Sequence, residues 1–279
     1  METEALAPLI WEDGIRTLVT IGRDDIGNEG LQIAMKRNFE GKGGRVIDGP
    51  RYSATATDYG PSVQTLSARA KAAVEQNDPK AVGIYLTAFS EVVDLFHAAQ
   101  SDPLLGSLRW YGSDGVAELP ALVKDPRSAA FAAKVGYPNP NVGLDQSRRA
   151  RWQPLSDQVK EITGSAPDAF GLAAYDAFRV ATQAYLATGG TNQTAWLREA
   201  ITQAANGYDG LSGEMVLNDA GDRKSGDFAF WAIREVNGIL QWTIVAQYRA
   251  DPSGGGSIVR AESFHEALAR NEAATATLE

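Results

Sequence analysis

The chain has 279 residues, 44% of them hydrophobic and 22% charged, which bounds it to one or two domains with a substantial core and excludes a disordered chain. Its net charge of −9 argues against a polyanion partner, because nucleic acid is held by a basic surface. It has no cysteine, so disulfides, thiolate catalysis and Cys-based zinc sites are excluded.

The start, Met1-Glu2-Thr3-Glu4, is acidic and gives no secretory signal; an exported parent would carry one upstream. Ala5–Glu12 reads as a helix end closed by Asp13-Gly14, and Arg16–Ile21 as a strand rich in β-branched residues. Asn28–Glu40 is a helix with Leu31, Ala34, Met35 and Phe39 on one face. Arg45–Ile47 is a short strand. Asp58 is the expected N-cap of a helix that carries Val63, Leu66, Ala70 and Val74 as a stripe to Glu75. Ala81–Leu86 is a short apolar run suited to a buried parallel strand. Ser90–Gln100 is helical, Leu108–Tyr111 a strand, and Leu119–Val135 a helix broken at Asp125-Pro126. Four strand–helix repeats imply a parallel sheet with right-handed crossovers.

Tyr137–Val142 reads as a Pro/Asn-rich connector. Helices follow at Gln153–Thr163, Asp168–Thr188 and Trp196–Ala205; the second is apolar all round and wants burial on more than one side. Gly210–Leu217, Asp227–Arg234 and Leu240–Tyr248 are β-like. Ser253–Gly256 reads as a flexible linker, and Glu262–Leu278 as an amphipathic or disordered tail. No run approaches the ~20 apolar residues of a membrane span.

Three predicted strands end in short polar turns: Gly22–Gly27, Thr87–Ser90 and Gly112–Gly115. In open α/β sheets, ligands bind beyond the carboxyl ends of parallel strands. Asp24 and Asp25 read equally well as helix caps, whereas Asp114, between Ser113 and Gly115, could hold a ligand ammonium by a charge-assisted hydrogen bond. The only two histidines, His97 and His265, lie away from these turns, which argues against a His-based triad or metal site; both read as surface residues. There is no phosphate-binding glycine motif. Asn218–Asp222 reads as a tight turn rather than a calcium loop, and the Arg148, Arg149, Arg151 cluster as a solvated segment rather than a phosphate site.

Several segments together resemble the type I periplasmic solute-binding proteins of ABC transporters, in particular the branched-chain amino-acid-binding group. They are Arg23–Leu31, Val82–Tyr85 with Thr87–Phe89, Trp110–Gly115, Ala174–Ala177 and Gly221–Arg223, in matching order over about residues 5–250. The resemblance implies an α/β fold of that type, a Rossmann-like parallel sheet flanked by helices. One lobe would be nearly complete, formed by residues 5–140 plus 226–250. The other would be a truncated helical remnant at 146–207, with a crossing segment at 208–225 and a linker and tail at 251–279. It implies binding without chemistry or cofactor: a small polar metabolite such as an amino acid held in an interlobe cleft, delivered to the membrane subunits of an ABC permease, in the periplasm or outside the cell. Asp114 would then hold the ammonium, Thr87, Ala88 and Phe89 would give backbone and aromatic contacts, and Ser113 would complete that wall. The turn carrying Asp25 usually offers an aromatic ring, a place that falls here to Ile26. Asp at 114, in place of the more usual Glu, shortens the reach by one methylene. Tyr175, Phe178 and Tyr185 would be exposed, cover a partner or repack, with self-association one possible outcome. Alternatives are a ligand-sensing domain of a receptor or regulator with the same fold and, more distantly, a cytosolic α/β enzyme, for which no nucleophile–base pair is found.

Overall fold

The computed structural model describes residues 1–144, 148–251 and 254–261. They divide into two compact units: a smaller one of Met1, 142–229 and 249–256, and a larger one of 2–141, 230–248 and the chain from Ser257.

The larger unit is built on a parallel sheet. Helix α1 (Glu2–Glu12) leads into strand β1 (Thr17–Asp24), helix α2 (Ile26–Glu40) and the short strands β2 (Arg45–Ile47) and β3 (Arg51–Ser53). Helix α3 (Gly60–Val74), strand β4 (Val82–Thr87), helix α4 (Val92–Ala99) and strand β5 (Arg109–Tyr111) complete the repeats. The strand order is β2-β1-β4-β5, with β3 also pairing β1, and all pairings are parallel. The register sets Gly22 beside Thr87 and Tyr85 beside Tyr111, so the three polar turns leave the same end of the sheet.

All six residues of β4 are buried, as a parallel strand covered on both faces requires. Val19 and Ile21 of β1 enter a core with Val63 and Leu66 of α3 and Leu95 and Phe96 of α4. Leu18 is buried outside that core; alternation along the strand turns it to the other face. Asp125 and Pro126 separate α5 (Pro120–Lys124) from α6 (Pro126–Val135), the expected break. The carboxylate of Asp125 caps α6 through Ser128 N at 2.8 Å. It also meets His97 Nε2 at 2.8 Å, and the His97 bond with the cap holds its pKa down at about 2. Phe96 stands edge-on to Trp110, Phe131 and Tyr137, with ring centroids 5.0–5.6 Å apart.

Four expectations fail. Residues 139–142 are no connector but strand β6 (Asn139–Val142), in a second sheet ordered β11-β10-β9-β6 with β9 (Phe228–Val236), β10 (Ile239–Ala250) and β11 (Gly256–Arg260). Pro140 lacks an amide donor, which disguises the strand in sequence. The helix expected at 168–188 to be buried on more than one side buries a single stripe, Leu172, Asp176, Val180 and Ala184. Of the expected linker, Ser253 lies outside the described residues and Gly256 opens β11. Asp58 does not cap α3: the N-cap is Tyr59, and Asp58 instead accepts the Gly60 amide at 2.9 Å. His265 and the 262–278 tail lie outside the described residues.

The smaller unit carries α7 (Arg149–Thr163), α8 (Ala169–Ala187), α9 (Thr194–Asn206) and the short strands β7 (Asp209–Gly210) and β8 (Gly213–Glu214). Its centre is polar. Asp176 of α8 is fully buried and accepts bonds from Leu211 N (2.9 Å), Ser212 N (2.7 Å), Ser212 Oγ (2.6 Å) and Tyr208 OH (3.2 Å). Gly210 has to be glycine here, because a Cβ would stand 2.5 Å from the Asp176 carboxylate. Arg223 closes the hairpin, donating to Ser212 O at 2.7 Å and Glu214 O at 3.0 Å. Asn218 Oδ1 accepts from Ala220 N and Asp222 N, both at 3.0 Å, which makes 218–222 the expected tight turn. Arg148 and Arg151 both bind Asp209, while Arg149 donates to Gln153 at 3.0 Å. Outward from α8 and α9 stand Tyr175, Tyr185, Phe178 (68% exposed) and Trp196 (60% exposed).

Candidate functional site at the carboxyl ends of β1, β4 and β5

The first expected turn is shorter than Gly22–Gly27: β1 runs to Asp24 and α2 starts at Ile26, and Asp25 between them is in extended backbone and caps α2. Its Oδ1 accepts Asn28 N at 2.9 Å, and its Oδ2 accepts Asn28 Nδ2 at 2.7 Å and Arg23 Nε at 2.6 Å. The Asn28 amide, then Arg23, pull its pKa down to about 2. Asp25 therefore orders the turn, and the next side chain, Ile26, projects with 91% exposure. Arg23 lies over the Phe89 ring, 4.4 Å from its centroid. That contact places a cation on one face of a ring that stays 42% exposed.

Thr87 is fully buried at the end of β4. Its Oγ1 accepts Gln32 Nε2 at 3.2 Å, and its carbonyl accepts Tyr52 OH at 3.4 Å. Gly22 makes this approach possible: a Cβ there would lie 2.2 Å from both Gln32 Nε2 and Thr87 Oγ1. Ala88 is buried as well, and leads directly to the half-exposed Phe89.

At the end of β5, Ser113 is fully buried, and its Oγ has no hydrogen-bond partner among the described residues. Asp114 follows at the start of a short 3₁₀ turn. The Glu2 carboxyl of α1 lies against Asp114. Burial first, and the Asp114 charge second, raise the Glu2 pKa well above its ordinary value. Glu2 Oε1, Tyr85 OH, Tyr137 OH and Asn139 Oδ1 are also buried without partners among the described residues. Burial, followed by the charges of Glu2 and Asp114, pushes the Tyr85 phenol up, so it stays a neutral donor. A buried polar atom without a partner is costly, and Ser113 Oγ next in sequence to Asp114, with Glu2 and Tyr85 both feeling its charge, suits a site that a polar molecule completes.

The three turns thus bring Ile26, Phe89, Ser113 and Asp114 to one end of one sheet, with Asp25, Thr87 and Ala88 fixing the backbone beneath. Sequence reasoning missed Glu2, Gln32, Tyr85 and Asn139. Gln32 and Tyr85 had a signal: Gln32 directly follows the quoted turn segment, and Tyr85 closes the quoted segment Val82–Tyr85.

The family described as receptor family ligand binding region matches residues 1–235. The chain belongs to that family. Among individual relatives, this family member is 25% identical over 233 residues to an uncharacterised protein of Methanocaldococcus jannaschii, covering 80% of this chain and 54% of that one. It is similar in structure to leucine-binding protein LivK of Thermotoga maritima (TM-score 0.60, 17% identity, 94% of this chain and 66% of that chain). A second likeness is to an ABC transporter substrate-binding protein of Sphaerobacter thermophilus (TM-score 0.62, 17% identity, 88% and 64%). A third is to an ABC transporter substrate-binding protein of Desulfitobacterium hafniense in complex with Leu (TM-score 0.59, 17% identity, 86% and 64%). These likenesses establish the type I periplasmic-binding fold. The chain spans about half the length of the curated relative and about two thirds of the solved ones.

Proposed function

We propose that this chain carries part of the binding site of an extracytoplasmic solute-binding protein. The parent takes an amino acid or a similar small ammonium-bearing metabolite, performs no chemistry on it, and passes it to the membrane subunits of an ABC permease. The observation that carries this reading is the pair Ser113 and Asp114: a buried hydroxyl lacking a partner beside a carboxylate, at the strand end where ligands of such sheets bind. In this reading Asp114 accepts from the ammonium, Ser113 Oγ supplies a further polar contact, and Phe89 and Ile26 meet the apolar part of the ligand. Asp25, Thr87 and Ala88 hold the turns in position. A low local dielectric strengthens each charge-assisted contact.

The test is calorimetry of the full-length parent against an amino-acid panel, repeated with Asp114→Ala. Loss of most of the affinity is expected; equal binding by the variant would remove Asp114 from the site. Release of altered product from a bound ligand would overturn the binding-only reading. The receptor description of the family favours a second reading, a sensing domain. A lipoprotein signal in the parent supports transport, and an attached kinase or DNA-binding segment supports sensing. Self-association through α8 and α9 is part of the proposal, and sedimentation across a concentration series tests it.

A further inference from the structure

A cleft in the larger unit, of about 440 Å³, opens between β5, β9, β10 and the end of β11. Its floor is apolar, from Leu9, Trp110, Val135, Pro138 and Ile244, and its polar edge carries Arg109, Arg234, Arg260, Asp13 and Thr243. The carboxylate of Asp13 is already engaged. Its Oδ2 takes Arg109 Nη1 at 3.1 Å and Tyr111 OH at 2.9 Å, and its Oδ1 takes Arg260 Nη2 at 2.7 Å. Arg234 is different. Among the described residues its guanidinium makes one hydrogen bond, at 3.4 Å to the carbonyl of neighbouring Ile233, and no ion pair within 4.0 Å. Burial first, and then the charge of Arg109, lower its pKa, while the charge of Asp13 opposes them. Thr243 Oγ1 is buried on the same cleft and has no partner among the described residues.

We infer that this cleft binds a small organic anion, a carboxylate with an apolar body, with Arg234 and Thr243 Oγ1 receiving the carboxylate and the apolar floor receiving the body. The planar guanidinium fork matches a carboxylate in two parallel bonds, and Arg109 adds positive potential without leaving Asp13. The volume falls within the range of small-molecule pockets, and a few polar groups on a largely apolar lining are their usual make-up. A site for an anion is unexpected on a chain of net charge −9, so the local excess of guanidinium is a feature of this cleft and not of the surface at large. The inference does not depend on the strand-end site, which faces a ligand ammonium with Asp114.

Titration of the purified chain with benzoate, followed by amide chemical shifts and calorimetry, tests it; benzylamine serves as the matched cation. Saturable benzoate binding is expected, centred on Arg234, Thr243 and Val135, with no saturation by benzylamine. Arg234→Gln should weaken binding at least tenfold, Arg234→Lys less, and Asp114→Ala not at all. Arg234→Met should leave the unliganded protein as stable as before or more so, since it removes a half-buried cation that lacks an ion pair. Absence of saturation, equal binding of benzylamine, or unaltered binding by Arg234→Gln would overturn the inference. So would marked destabilisation by Arg234→Met, which would make Arg234 a structural partner of Asp13.

Discussion

The two units solve the same burial problem with different materials. In the larger one, strand β4 is sealed on both faces and the aromatic group around Phe96 fills the space beneath it. In the smaller one, the fully buried α8 residues are few, and a carboxylate, Asp176, does the tying. A parallel sheet draws long apolar stretches from distant parts of the chain into one layer, so packing alone can hold it. A helix trio with much of its apolar surface turned outward has less area to bury, and directional bonds to a short hairpin make up the difference. The lesson is that exposed apolar residues on α8 and α9 do not signal an unfolded unit. Its integrity is specified from within by polar contacts.

That contrast can be broken most strongly at Trp110. This residue packs against Phe96 and Phe131 and donates Nε1 to Leu105 O at 2.9 Å. Trp110→Ala should lower unfolding stability by about 3–5 kcal/mol, read from urea denaturation, and loosen the larger unit throughout. Asp176→Ala comes next. It strands two amides and two hydroxyls and should cost about 3 kcal/mol. In hydrogen exchange the loss of protection should be confined to α8, β7 and β8, with β4 unchanged; an equal loss in β4 would erase the distinction between the units.

A smaller effect is expected at Glu2. Its folded pKa is raised, so the folded state holds the proton more tightly than the unfolded chain does. The resulting stability is complete below the ordinary value of 4.5 and is lost as pH rises from there through the raised value. Glu2→Gln should flatten that part of the urea-midpoint profile against pH; an unchanged slope would show that Glu2 is not buried against Asp114. The smallest effect belongs to Phe178→Gln, at a side chain turned to solvent. Stability should move by less than about 0.5 kcal/mol, while binding of a hydrophobic dye falls. A large loss would mean that this face already packs against something.

Much of the larger unit was legible because its signals are local. The run 81–86, the break at Asp125-Pro126 and the stripe of Val63, Leu66 and Ala70 follow from periodicity and turn chemistry within single windows. Strand β6 was not legible, since Asn139-Pro140-Asn141 carries turn residues and becomes a strand only through its neighbour β9. At the strand ends, Asp25 advertised two roles, and the geometry gives it the cap. Glu2 carried no signal, because nothing in a first helical turn says that a strand end a hundred residues later will lie against it. The Asp176 contacts were hidden for a related reason: Tyr208, Leu211 and Ser212 reach that carboxylate only after the chain has turned through α9.

Gly22 bears on how such a site can change over generations. With no side chain of its own, it lets Gln32 and Thr87 meet, so replacement at 22 would part β1 from its neighbours before any ligand entered. Ile26 has almost no obligations to the fold, and Phe89 is half free. Under the proposed binding reading, drift in ligand preference has two open positions, 26 and 89, and one closed one, 22. A library that randomises 26 and 89 while holding 22 as glycine would test that reading on a scaffold that still folds.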